Sequence, residues 1–193
     1  LFDLNRDWMW ATQVETQQRL KLYNQWMPHV HVDFHEQGIN SPYYFAPAAE
    51  PFHDIITDFQ REFQTKIGKN NAKAFDENAW SYFTRERFDL FYPSYGDTYP
   101  TYNGAIGMTY EQAGNGRAGL GINTDEDYEL TLVDRVQHHV ISGITTVKTS
   151  SEFVTELNSE FKNYFQQSPD FDYYVLAGDE QKLKVLSQLL DKH

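Results

Sequence analysis

The sequence predicts an α/β protein, a mostly parallel sheet flanked by helices, and three observations carry that expectation. Residues 29–35 alternate strictly, with His29, His31, Asp33 and His35 on one face and Val30, Val32 and Phe34 on the other, which is the period of a strand. Residues 104–110 (Gly-Ala-Ile-Gly-Met-Thr-Tyr) hold no charge and read as a buried strand. Around these runs lie segments with apolar residues at helical spacing, and strands alternating with helices build parallel sheets.

Each element has its own signal. Thr12 and Glu15 have capping-box spacing and open a helix with the apolar stripe Leu20, Tyr23 and Met27, stopped by Pro28. The strand over 29–35 follows, then a loop over 38–51 with three prolines and the pair Tyr43-Tyr44. Pro51 suits the first position of a helix through Phe52, Ile55, Ile56, Phe59, Phe63 and Ile67, ended by Gly68 and Asn70-Asn71. Residues 80–84 form a short strand, and 91–103 a long ordered loop rich in Tyr, of the kind that carries function. After the strand 104–110, a polar, Gly-rich stretch over 114–127 crosses the surface. Leu132, Val133, Val136, Val140 and Ile144 mark the next helix. A second capping box, Thr149 and Glu152, opens a helix through Phe153, Leu157, Phe161 and Phe165. Pro169-Asp170 marks a boundary. It divides residues 1–168 from the start of a further βα unit at 169–193, with a strand over 172–176 and a helix over 181–190.

Composition narrows the class. The 193 residues, 40% hydrophobic and 16% aromatic, are ample for a core. A net charge of −12 argues against a nucleic-acid partner, which calls for clustered Lys and Arg. No apolar run approaches the roughly 20 residues needed to span a bilayer, and no signal peptide is read. Because the chain opens at Leu1 rather than Met, a natural start upstream is expected. With no cysteine, disulfides and thiolate metal sites are excluded, leaving His, Asp and Glu as metal ligands.

Four places carry chemistry. His35 ends its strand, and in parallel sheets ligands collect outside the carboxyl ends of strands. A neutral imidazole there can bind zinc, with Asp33 or a backbone carbonyl fixing its tautomer; a structural histidine is the plain alternative. Glu111 follows seven uncharged residues, a setting that raises a carboxylate's pKa and suits it to proton transfer; the alternative is a solvated side chain. Arg6, after Asp3-Leu4-Asn5, offers a planar fork for a carboxylate, or a surface ion pair with Asp3 or Asp7. Tyr92, Tyr95, Tyr99 and Tyr102 either place a phenol over a substrate or pack a loop.

Taken in order, Asp-x-Asn-Arg at 3–6, Asp-x-His at 33–35, the Tyr- and Gly-rich loop and the strand ending in Glu111 resemble the zinc carboxypeptidases of the carboxypeptidase A and B type, over residues 1–114. The resemblance implies that Arg6 with Asn5 holds the substrate's terminal carboxylate, and that Asp3 orients an upstream zinc-binding His. It makes His35 the third zinc ligand and Glu111 the general base. Tyr92 or Tyr95 takes the place of the substrate-capping tyrosine. It also implies one zinc ion, a peptide or acyl-amino-acid substrate with a free C-terminal carboxylate, and a secreted or periplasmic enzyme. Asp97 falls where preference for a basic residue is set.

The family's His-x-x-Glu pair is missing. The residue third after each histidine is Val32, Phe34, Gly38, Ile56, Ile141 or Ser142, or lies past His193. The expectation is therefore that residues 1–168 are the C-terminal portion of a longer catalytic domain, its two other zinc ligands lying upstream, and that this piece alone is inactive. Two rivals stand beside it. One is an inactive carboxypeptidase-like module that binds peptide C-termini. The other is a different metal-dependent hydrolase using the His29/His31/His35 strand, although its spacing misses an adjacent Asp-His by one residue. The same strand also reads as a plain polar strand needing no metal.

Overall fold

The computed structural model describes residues 2–168 and 173–193. It shows a mixed α/β protein with a mostly parallel central sheet flanked by helices. Strand β1 (Val30–Gln37) pairs in parallel with β6 (Ile106–Ala113) from Val30↔Ile106 to Gln37↔Ala113. Beyond β6 come β2 (Tyr43–Tyr44), antiparallel to it, and β4 (Tyr82–Phe83), parallel to β2, in the order β1-β6-β2-β4. Among the described residues β1 is thus an edge strand.

One face of this sheet carries the main core. Phe63, Ile67 and Phe75 of α2 (Asp58–Glu77) and Leu157 of α5 (Val154–Tyr164) close on Tyr43, Ile106, Met108 and Tyr110. Helix α4 (Leu132–Glu152) lies on the same face, where Thr146 meets the Tyr110 hydroxyl at 2.6 Å and Ser142 meets the Tyr43 hydroxyl at 2.8 Å. A second cluster, Trp8, Leu20, Tyr23 and Tyr99, packs α1 (Val14–Trp26) against the short α3 (Thr98–Tyr102), beside the ring of His31. Residues such as Phe63 and Tyr110 bury large apolar surfaces, each worth about 1.5–3 kcal/mol.

Several elements depart from the sequence reading, each for a visible reason. The Thr12–Glu15 capping box does not form. Buried Asp7 accepts from the Thr12 hydroxyl (2.6 Å) and from the Thr12 and Gln13 amides, so the start of α1 is organised by Asp7 instead. Residues around Pro51 form no helix start; Ala49–Phe52 is β3, paired with β5 (Asp89–Leu90). Helix α2 opens with the capping box Thr57/Gln60 and runs through Gly68 and Asn70-Asn71. Gly68 is there for packing, since a Cβ would strike the Ala46 carbonyl. Thr149 opens no helix either: it lies inside α4, its hydroxyl turned back to the Thr145 carbonyl at 2.8 Å.

The loop over 91–103 contains α3, and the Gly-rich crossing carries a small hairpin, β7 (Ile122–Asn123) with β8 (Glu129–Leu130). Asp172 of the expected last strand lies outside the described residues, and Tyr173 to Leu176 form no strand. The helix after it is present as α6 (Glu180–Leu190). Among the described residues no helix is long and apolar enough to cross a membrane.

Candidate functional site

The pleat sorts β1 and β6 into two faces. Val32↔Met108 and Phe34↔Tyr110 point towards the core, while His31↔Gly107, Asp33↔Thr109 and His35↔Glu111 share the other face. Register alone therefore sets His35 beside Glu111. Neither residue ends its strand as expected: β1 runs on to Gln37 and β6 to Ala113, and Glu111 stands between β1 and β2.

Two segments close over this polar face. The 3-10 turn Leu4–Arg6 is fixed by Asp3, whose carboxylate accepts from the Asn5 amide at 2.9 Å. Asn5 then reaches inward: its Nδ2 lies 2.9 Å from His35 Nε2, and its Oδ1 accepts from the Gly96 amide. His35 Nε2 also lies 2.7 Å from Asp33 Oδ2. Gly96 permits the closure, because a Cβ there would meet Asp33 Oδ2 and Asn5 Oδ1. The result is a pocket of about 230 Å³ walled by Asn5, Arg6, Tyr95, Asp97, Thr109 and Glu111, with Arg87 also on its wall.

The pocket's charges are strongly perturbed. Burial pushes the Glu111 carboxyl up to about 7; His35 pulls the other way, Asp33 and Asp97 add to the rise, and Arg6 also opposes it. Burial raises Asp97 to about 6 against hydrogen bonds from the Thr109 and Thr98 hydroxyls. The hydrogen bond to Asp33 holds the His35 imidazole above its ordinary value despite burial. Near neutral pH the site thus holds a carboxyl able to take up and return a proton, beside an imidazole whose cationic form is favoured.

Most of the residues singled out by sequence converge here. Asn5, Arg6, Tyr95 and Glu111 line the pocket, and His35 joins through Asn5. Arg6 is half exposed; its Nη1 donates to the Asn5 carbonyl at 3.0 Å and stands 3.7 Å from Asp3, and its guanidinium lies 4.6 Å from the Tyr95 ring centre. Tyr92 does not line the pocket: its hydroxyl accepts from Trp10 Nε1 at 2.7 Å, and its ring props Tyr95 edge-on at 5.1 Å. Gly96, Thr109 and Arg87 were not singled out. Thr109 was legible in principle, two residues before Glu111 and so on the same face.

His29, His31 and His35 share no centre. His29 packs on Phe161 at 4.1 Å, and His31 lies edge-on to Trp8 and Tyr23. Among the described residues no group of three His, Cys, Asp or Glu side chains is placed to hold a metal ion. His35, with Nε2 already against Asp33 and Asn5, does not fit a zinc ion by itself. A larger cavity, about 580 Å³, lies by α4 with Trp80, Gln112 and His138 on its wall; none of the predicted site residues lines it.

No protein-family signature matches the chain, and no curated protein matches it by sequence. Among solved structures, a metallo-carboxypeptidase from Burkholderia cenocepacia superposes with a TM-score of 0.61 at 16% identity, over 79% of this chain and 39% of that one. At that identity the likeness is one of fold, and the chain spans well under half the length of the carboxypeptidase whose α/β architecture it shares.

Proposed function

We propose that this chain is part of a metallo-carboxypeptidase, a hydrolase that removes the C-terminal residue of a peptide or acyl-amino acid. The observation that carries the reading is the register His35↔Glu111 with Asn5 and Arg6 brought over it. Of the residues whose order along the chain resembles the family, Asn5, Arg6, Tyr95 and Glu111 line one pocket, and His35 is tied to it through Asn5.

In this reading Arg6, with Asn5 beside it, grips the terminal carboxylate, since a planar guanidinium matches it with two hydrogen bonds. Tyr95, stacked on Arg6 and propped by Tyr92, bounds the bound residue. Glu111 receives a proton during hydrolysis and returns it to the leaving amine, a role suited to a carboxyl poised near 7. Asp3 acts through the turn that presents Asn5 and Arg6. Buried Asp97 also lines the pocket, where an ionised carboxylate would suit a basic side chain. Zinc is the proposed cofactor of the parent enzyme, in a secreted or periplasmic protein; His35 would serve as one ligand only in its neutral form and through Nδ1, because Nε2 is held by Asp33 and Asn5, and two other ligands would lie outside the described residues.

The test is release of a C-terminal residue by the gene's full-length product, loaded with zinc, from matched peptides ending in a free carboxylate or an amide. Release from the free acid alone is expected, with a rise in KM for Arg6→Ala and a fall in kcat of at least about a hundredfold for Glu111→Gln. Capture without release would instead mark a binding module. Unchanged turnover in Glu111→Gln would remove Glu111 from the chemistry.

A further inference from the structure

The larger cavity, about 580 Å³, shares no wall residue with the pocket beside Glu111. Gln112 follows Glu111 on β6, so its side chain leaves the opposite face of the sheet, where it lies on the cavity wall. The loop after β1, residues 79–81 beyond α2 and the turn of the β7–β8 hairpin enclose the space. A reciprocal pair of hydrogen bonds clamps the hairpin to that loop. Asn40 Nδ2 donates to Asp125 Oδ2 at 2.7 Å, and the Asp125 amide donates to Asn40 Oδ1 at 3.0 Å. The volume falls among those of small-molecule sites, about 300–1,000 Å³.

The wall is one-sided in its chemistry. Asp125, Glu126, Glu129 and Asp134 stand on it, and no Lys or Arg does. Asp125 is engaged by Asn40, and Asp134 Oδ2 caps α4 by accepting from the Thr131 amide at 2.9 Å and hydroxyl at 2.6 Å. Glu126 and Glu129 are exposed and, among the described residues, meet no donor, so two carboxylates are free at the rim. His138 reinforces the bias. Its Nδ1 lies 2.7 Å from Gln112 Oε1, and an amide oxygen only accepts, so Nδ1 carries the proton of the neutral ring and Nε2 keeps a lone pair. Burial pushes this imidazole down to about 4, which leaves it an uncharged acceptor near neutral pH. The Trp80 ring lies 4.4 Å from the His138 ring, and Ile39, Pro42 and Leu130 supply apolar wall.

We propose that this cavity binds a small organic cation, a guanidinium or alkylammonium group on an apolar stem. The stem lies along Ile39, Pro42 and Leu130, and the cationic group faces Glu126 and Glu129, where its N–H groups meet only acceptors. Trp80 adds the face of an indole, which attracts cations. An anionic ligand would meet four like charges with no basic side chain to offset them. A bare metal ion would leave the apolar wall unused. The inference uses none of the residues assigned to hydrolysis, and it survives if that reading fails.

Calorimetric titration of the gene's full-length product tests it. Agmatine presents the cation free in solution, and N-acetyl-arginine amide presents it on a peptide unit with no terminal carboxylate to engage Arg6. N-acetyl-citrulline amide is the uncharged match of the second. At least one of the two cations is expected to bind once per chain, and the citrulline amide at least about tenfold more weakly. Binding of agmatine alone identifies a free amine as the ligand, and binding of the arginine amide alone a peptide side chain. The rim variant Glu126→Gln/Glu129→Gln should raise Kd at least about tenfold. Both side chains are exposed, so its denaturation midpoint should stay unchanged. Absence of saturable binding by either cation overturns the proposal. So does a citrulline amide that binds as tightly, or a Kd that the rim variant leaves unchanged, which would put the cation elsewhere.

Discussion

At the scale of single residues, Glu111 is the group with most to reveal. Its carboxyl is 8% exposed and raised from 4.5 to about 7, by burial above all. In the unfolded chain it titrates near 4.3. Between those values the folded protein binds the extra proton, so the stability that protonation supplies is complete at low pH and is lost as pH rises towards 7. At full ionisation the penalty approaches about 3–4 kcal/mol, at 1.36 kcal/mol per unit. Glu111→Gln removes the titration and keeps the shape. It should raise the urea midpoint relative to the unmutated protein at about pH 8 and barely change it at about pH 4. A midpoint difference that stays flat across that range would mean that Glu111 is solvated as an ordinary carboxylate.

At the scale of elements, the site depends on close backbone approach. Gly107 sits in β6 under the loop that leads into α3, where a Cβ would run into the Asp97 carbonyl and the Thr101 hydroxyl. Thr101 already bonds that carbonyl at 2.7 Å, so neither atom is free to yield. Gly107→Ala should therefore cost about 1–3 kcal/mol, the usual range for overpacking, read by chemical denaturation. It should also shift Asp97 away from Thr109, whose hydroxyl proton would then exchange faster in solution NMR. These same elements show what was legible in the sequence. Strict alternation at 29–35 and the uncharged run at 104–110 marked β1 and β6, because strand period is a local property; that the two strands pair, with His35 beside Glu111, is a long-range fact without a local signature. Capping boxes were less dependable. Neither box read from the sequence forms, since Thr12 is claimed by Asp7 and Thr149 by the middle of α4, while the box that does open α2, Thr57/Gln60, was not among them. The five apolar residues of α4 marked a helix correctly but not the direction they face, since periodicity reports a stripe and not what covers it. Asn5's bridge to His35 and Tyr92's withdrawal to Trp10 are long-range contacts with no local signature.

At the scale of the whole molecule, the C-terminal helix returns to the segment where the chain begins. Leu189 of α6 packs on the Trp8, Leu20, Tyr23 and Tyr99 cluster, and the Lys192 carbonyl accepts from Asn24 Nδ2 at 2.8 Å. His193 makes two contacts, Nε2 to the Met9 carbonyl at 2.8 Å and Nδ1 to the Tyr99 hydroxyl at 2.9 Å. A carbonyl can only accept, so Nε2 carries the proton and Nδ1 takes one from Tyr99 in the neutral ring. Burial depresses the His193 pKa accordingly. A histidine lowered on folding contributes stability that is whole above its unfolded value near 6.5 and fades as pH falls through the folded one. The remainder of α6 is largely exposed, so the anchorage amounts to one leucine and a few hydrogen bonds, about 1–3 kcal/mol. Deleting residues 177–193 should then lower the unfolding free energy by about that much at neutral pH, and by less at about pH 5.5, where the histidine tie is already weakened. The boundary at Pro169-Asp170 proposed from sequence makes the opposite claim. If residues 169–193 open a separate module, the deletion leaves the denaturation midpoint of the remaining protein unchanged at both pH values.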